Sequence, residues 1–94
     1  MKAERLLDER HLLDEDTFAE IVIWRLPNGP RGSSHRYKYR LALVENGTCT
    51  LRYDNEAGKG DHRHIGSREE SYTFTSPEEL LNDFWSDVDE RKWR

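Results

Sequence analysis

His62 and His64 stand two positions apart within YDNEAGKGDHRHIGSREESY, residues 53 to 72, with Lys59 and Arg63 close by. If the chain is extended there, the two imidazoles point the same way and can share a ligand or a proton-transfer task. Imidazole titrates near neutrality, so one ring can take a proton while the other gives one. Lys59 and Arg63 can stabilise a developing phosphorane charge, and Glu56, Asp61 and Glu69 can orient the rings. RNA cleavage by attack of a 2′-hydroxyl needs such a set and no metal. The same residues also fit a purely structural role, capping turns and satisfying loop carbonyls. A metal site would draw on Asp54, Glu56, Asp61 or Glu69 for oxygen ligands. However, HxH alone fixes no third ligand, and Lys59 and Arg63 oppose a cation. Gly58-Lys59-Gly60 lacks the spacing of a P-loop, so no cofactor is expected.

A row of cations leads toward this segment. Residues 36 to 44, RYKYRLALV, alternate, with Arg36, Lys38 and Arg40 on one face and Tyr37, Tyr39, Leu41 and Leu43 on the other. Residues 48 to 54, TCTLRYD, alternate as well, placing Thr50, Arg52 and Asp54 opposite the face of Cys49, Leu51 and Tyr53. Asn46-Gly47 marks the hairpin between them. A three-residue loop, Glu45-Asn46-Gly47, aligns Leu43 with Cys49, Leu41 with Leu51 and Tyr39 with Tyr53, keeping each face uniform. That register sets Arg40 against Arg52 and Lys38 against Asp54. Opposed like charges destabilise a sheet. The face is therefore either solvated, with its arginines splayed, or an anion site suited to the phosphates of a nucleic acid, formed by Arg36, Lys38, Arg40 and Arg52.

The elements that must position these groups are legible in outline. TFAEIVIWRL, residues 17 to 26, reads as a strand near the middle of a sheet, stopped by Pro27, Asn28, Gly29 and Pro30. Residues 3 to 13 suit a strand paired with it through Asp14-Glu15-Asp16, or else a helix; the strand is favoured. Residues 30 to 35, PRGSSH, read as a mobile loop, and residues 54 to 70 as a long polar loop shaped by Gly58, Gly60 and Gly66. Residues 71 to 75, SYTFT, read as a short strand. A helix then opens with Ser76 as N-cap, Pro77 at the first position and Glu79 completing a capping box. Leu81, Phe84, Trp85 and Val88 form its apolar stripe with Leu80 at the edge, and Arg91, Lys92 and Arg94 end it. The expected fold is α+β, a meander-like antiparallel sheet of four to five strands with one C-terminal helix packed on one face, forming a single domain over residues 1–94. Cys49 is expected to be a buried thiol on the core face. Trp24, Trp85 and Trp93 read as structural residues, with exposure the alternative for Trp93 at the helix end.

Composition bounds the class. The 94 residues are 36% charged and 34% hydrophobic, with a formal charge of −4. Three Trp, four Tyr and three Phe argue against disorder. One cysteine excludes an internal disulfide and fits a reducing cytoplasm. MKAERLLDER lacks the apolar run of a signal peptide, and no stretch is long enough to span a membrane. A cytoplasmic domain, with a homodimer allowed, is expected.

The run YDNEAGKGDHRHIG, followed by EE, Y-x-F and the LLNDFWSDVD helix, closely resembles the TumE family of toxins from bacterial and archaeal toxin–antitoxin pairs. IVIWRLP and HRYKYRLALV match as well, so the resemblance covers nearly the whole chain. Asp54, Asn55, Glu56, Gly58, Lys59, Gly60, Asp61, His62, His64 and Gly66 stand at motif positions. The resemblance implies the toxin half of a two-gene module whose antitoxin partner is small and often helix-turn-helix; it implies no agreed catalytic set. The leading expectation is a type II toxin that cleaves RNA without a metal, His62 and His64 being the acid–base pair. A non-enzymatic module binding protein or RNA, and a metal-dependent hydrolase using HxH, are the alternatives.

Overall fold

The computed structural model describes residues 2–30, 33–56 and 59–91. Six strands, β1 (Glu4–Asp14), β2 (Thr17–Arg25), β3 (Tyr37–Glu45), β4 (Thr48–Glu56), β5 (Gly60–Ile65) and β6 (Arg68–Ser71), precede one helix, α1 (Pro77–Glu90). The strands pair in chain order, each antiparallel to the next. The α+β meander with a C-terminal helix is as expected, but the sheet has six strands instead of four to five. The surplus comes from the segment read as a long polar loop, which completes β4 and forms β5 and β6. The expected strand at residues 71 to 75 is displaced: β6 ends at Ser71, and the next five residues run to the helix outside the ladder. The Tyr72 N–H still reaches across, to the Asp61 carbonyl at 3.1 Å.

Cross-strand partners share a face of the sheet, and the helix decides which face becomes core. Ala19, Ile21 and Ile23 of β2, Tyr39, Leu41 and Leu43 of β3, and Leu51 and Tyr53 of β4 are all buried on one side. Leu80, Phe84 and Val88 cover them. These three lie four residues apart, the helical period that lays one side chain above the next. Leu80 is thus at the centre of the stripe, not its edge, while Leu81 and Trp85 flank the core. The helix opens as read: the Ser76 hydroxyl accepts the Glu79 N–H at 3.1 Å, and Pro77 follows the cap. It closes on Arg91 in a left-handed conformation, whose N–H donates to the Asp87 carbonyl. Lys92, Trp93 and Arg94 lie outside the described residues.

The β3–β4 hairpin corrects the expected register. Asn46 and Gly47 both have positive φ (51° and 77°), the signature of a two-residue type I′ turn. Glu45 therefore faces Thr48 and Val44 faces Cys49. A bulge then absorbs Thr50, so that Leu43 meets Leu51, Leu41 meets Tyr53 and Arg40 meets Asp54. The apolar residues still meet on one face, by a bulge and not by a longer turn. The bulge also leaves Cys49 exposed, contrary to the buried thiol expected. Arg40 opposes a carboxylate, and the repulsive Arg40–Arg52 pair does not form.

Candidate functional site

No element covers the second face of the sheet among the described residues. Alternation assigns to it Glu20, Val22 and Trp24 of β2, Lys38 and Arg40 of β3, Arg52 and Asp54 of β4, His62 and His64 of β5, and Glu69 of β6. Two rungs converge on the histidines. Along one, Arg40 meets Asp54 and Asp54 meets His62; along the other, Ala42 meets Arg52, Arg52 meets His64 and His64 meets Glu69.

His64 is the best connected of these groups. Its Nε2 lies 3.1 Å from Arg52 Nη2, 3.0 Å from Glu69 Oε2 and 3.8 Å from Asp54 Oδ1. Arginine can only donate and carboxylates only accept. Nε2 therefore presents a lone pair to Arg52, while Glu69 and Asp54 stand at ion-pair distances without hydrogen-bond geometry. Arg52 Nε is buried 3.1 Å from Asp54 Oδ2, an ion-pair distance without hydrogen-bond geometry. His62 is held differently. Its Nε2 is 2.7 Å from the Lys59 carbonyl, which can only accept, so that nitrogen carries the proton. Nδ1 is then the basic nitrogen, with no partner among the described residues.

Lys59 and Glu56 pair with each other at 3.6 Å beside the β4–β5 turn, with Lys59 71% exposed. Ala57 and Gly58 of that turn lie outside the described residues. Arg40 is exposed and has no ion pair among the described residues. Lys38 donates its ammonium to the Asn55 carbonyl. Arg36 precedes β3 and lines a cavity of about 900 Å³ at the sheet's end with Arg25 and Lys2. These basic residues and the two histidines share one face or its margin.

Arg63 and Asp61 are not brought together with the histidines. Both point to the helix side, as their partners Tyr53 and Asn55 require. Arg63 donates to Asp87 at 3.1 Å and to Glu70, and reaches the Tyr53 hydroxyl at 3.4 Å. Burial works against its charge, but the hydrogen bonds to Tyr53 and Glu70 outweigh it and raise its pKa further. In return, the Arg63 hydrogen bond holds the Glu70 carboxyl below its ordinary value. Asp61 Oδ1 accepts from the Tyr39 hydroxyl at 2.6 Å and lies 2.9 Å from His35 Nε2. His35 Nδ1 accepts the Tyr37 N–H at 3.1 Å, so Nε2 bears the proton that Asp61 receives. Burial first, then the Asp61 bond, pushes the Tyr39 hydroxyl far above its usual pKa.

His35 closes the segment expected to be a mobile loop, yet its side chain is only 12% exposed and stacks on Phe74 at 4.1 Å. The signal that could have found it is alternation: His35, Tyr37 and Tyr39 share one parity, and all three rings lie beside Phe74. Tyr53 and Tyr72 complete this side. Their hydroxyls donate to Asp87 and Asp83 of the helix, both at 2.5 Å. Burial and those carboxylates raise both phenols. Among the described residues, no three His, Cys, Asp or Glu side chains gather in a way that could hold a metal ion.

The family model for toxin TumE matches residues 2–92. The chain belongs to the TumE toxin family. Membership covers both faces of the sheet and the helix, and the family's name indicates a toxin. No curated protein and no solved structure gives a significant match. No helix among the described residues is long and apolar enough to cross a membrane.

Proposed function

We propose that this TumE-family chain is the toxin of a type II toxin–antitoxin pair, acting in the cytoplasm on RNA by metal-independent acid–base cleavage. A small antitoxin, of helix-turn-helix type, would hold it in check. The observation that carries the reading is the protonation geometry of the two histidines on the uncovered face. His62 offers a basic Nδ1 because the Lys59 carbonyl fixes its proton on Nε2. His64 Nε2 accepts from Arg52 and lies within ion-pair distance of the Glu69 and Asp54 carboxylates, surroundings that suit a ring alternating between acid and base.

In the proposed step His62 Nδ1 takes the proton of a ribose 2′-hydroxyl. The 2′-oxygen attacks phosphorus, the bond to the 5′-oxygen breaks, and His64 gives its Nε2 proton to that leaving oxygen. The products are a 2′,3′-cyclic phosphate and a 5′-hydroxyl, and proton exchange with water resets the rings. Arg52, 3.1 Å from His64, is the cation suited to the phosphorane charge; Arg63, tied beneath the helix, is not. Lys59 is the second cation of the site, Glu69 and Asp54 orient His64, and Glu56 orients Lys59. Lys38, Arg40 and Arg36 contact the phosphate backbone.

Purified chain incubated with RNA in EDTA tests this. Cleavage is expected, falling at least about 100-fold in His62→Ala or His64→Ala. Full growth inhibition by both variants would end the catalytic reading. Cleavage lost to chelation and restored by one divalent ion would favour a metal-dependent hydrolase.

A further inference from the structure

We infer that this face takes its RNA as a single strand, seating one nucleotide in the β3–β4 groove with its base stacked on Trp24. The inference rests on the RNA-acting reading above. It adds the strandedness of the substrate and a contact outside the basic residues.

The groove exists because the β3–β4 seam opens. The paired register ends at Arg40–Asp54, although β3 begins at Tyr37 and β4 continues to Glu56. The Asn55 side chain bridges the gap: its oxygen accepts the Tyr39 N–H at 3.0 Å and its amide donates to the Tyr37 carbonyl at 2.7 Å. Asn55 is only 2% exposed, and Lys38 covers its carbonyl. An amide thus stands in for the missing rungs. Above it lies a depression of about 390 Å³, lined by Val22, Trp24, Lys38, Arg40, Arg52 and Glu56 among others.

That lining combines the two things a nucleotide requires. Trp24, half-buried, supplies an indole on a face that no helix covers among the described residues, with the Arg5 guanidinium over one side of the ring, 5.9 Å from its centre, leaving the other side for a base. Any base has a π-face that can stack there. Arg40 is exposed and without an ion pair among the described residues, so it can meet a phosphate without first breaking a contact. Arg52 lines the groove and touches His64, so the groove and the paired histidines are continuous. A duplex keeps its bases stacked on one another and cannot lay one on Trp24; an unpaired strand can.

The test uses full-length chain and an unstructured 2′-O-methyl RNA of about 12 nucleotides, which has no hydroxyl to attack. Affinity for the single strand and for a duplex of the same sequence is read by fluorescence anisotropy. Trp24→Ala is expected to weaken single-strand binding about tenfold, equivalent to roughly 1.4 kcal/mol, and to leave duplex binding unchanged. Trp24→Phe keeps an aromatic platform and should retain most of the affinity, guarding against a variant that misfolds. RNA should quench tryptophan fluorescence in the parent and much less in Trp24→Phe. If Arg40→Ala and Arg52→Ala weaken binding while both Trp24 variants bind like the parent, the stacking inference fails and the RNA reading stands. Equal affinity for single strand and duplex would also overturn the inference. Absence of any RNA binding would overturn both.

Discussion

Asp61 shows how much one carboxylate can settle. Its Oδ1 receives the Tyr39 hydroxyl and the His35 ring, and its backbone carbonyl receives the Tyr72 N–H. Tyr39 is 1% exposed, so its hydroxyl has no water to fall back on. Removing Asp61 therefore costs more than the bonds themselves, because a buried donor is left unsatisfied. Asp61→Ala should lose about 2–3 kcal/mol in urea denaturation. Adding Tyr39→Phe should recover part of that loss, since removing both partners of a buried bond is cheaper than removing one. A double variant weaker than the sum of the singles would show that the Tyr39–Asp61 bond is not what holds this corner. The residue types here were visible in the sequence, but their roles were not. Asp61 and His62 are adjacent and equally polar, and strand alternation alone sends them to opposite faces. Arg63 suffers the same ambiguity: beside two histidines it reads as a catalytic cation, whereas its hydrogen bonds tie β5 to Glu70 and Asp87.

Whole elements were legible where an apolar period marked them. β2 and β3 carry Ile21, Ile23, Leu41 and Leu43 at alternate positions, and α1 opens with Ser76-Pro77, so their existence followed from pattern and cap. β5 and β6 were hidden, because the helix-facing positions of β5 are Asp61, Arg63 and Ile65, of which only the last is apolar. Tyrosine hydroxyls and helix carboxylates satisfy the other two, so polar residues occupy positions that alternation reserves for core. The β3–β4 register failed for a different reason. Uniform faces demand that leucines align, but both a longer turn and a bulge at Thr50 achieve that. The turns also differ in what they tolerate. Gly47 has φ +77° with nothing within 4 Å of an added Cβ, so Gly47→Ala carries backbone strain alone, about 1–2 kcal/mol. Gly29 has φ +71°, and a Cβ there would lie 2.4 Å from the His35 carbonyl oxygen. Gly29→Ala must therefore move the backbone that sets His35 against Asp61 and Phe74. It is expected to destabilise more than Gly47→Ala in parallel denaturation curves, and to shift the His35 ring resonances by NMR. Equal destabilisation with unmoved His35 signals would refute that link.

At the scale of the molecule, the described residues form a six-stranded sheet with one face covered by α1, and the proposed function puts the activity on the opposite face from the core. On the covered side Phe84 is fully buried against Tyr53 and Trp85. Truncating such a side chain to alanine costs about 3–5 kcal/mol, against a total of roughly 5–15 kcal/mol for a domain. On the other side Arg40 is exposed and without an ion pair among the described residues, and surface changes of that kind stay within about 0.5 kcal/mol. Phe84→Ala should therefore lower the melting temperature by roughly 12 °C or more, and growth inhibition should fall with the amount of folded protein. Arg40→Ala should melt within about 4 °C of the parent yet inhibit growth less, at equal folded abundance. The two variants together separate fold from function. If Arg40→Ala is as toxic as the parent, the uncovered face is not where the toxin contacts its target by this arginine. If Phe84→Ala keeps the parental melting temperature, the helix is not what closes the core. Only the predicted pair of outcomes fits a sheet whose helix side stores the stability and whose bare side performs the chemistry.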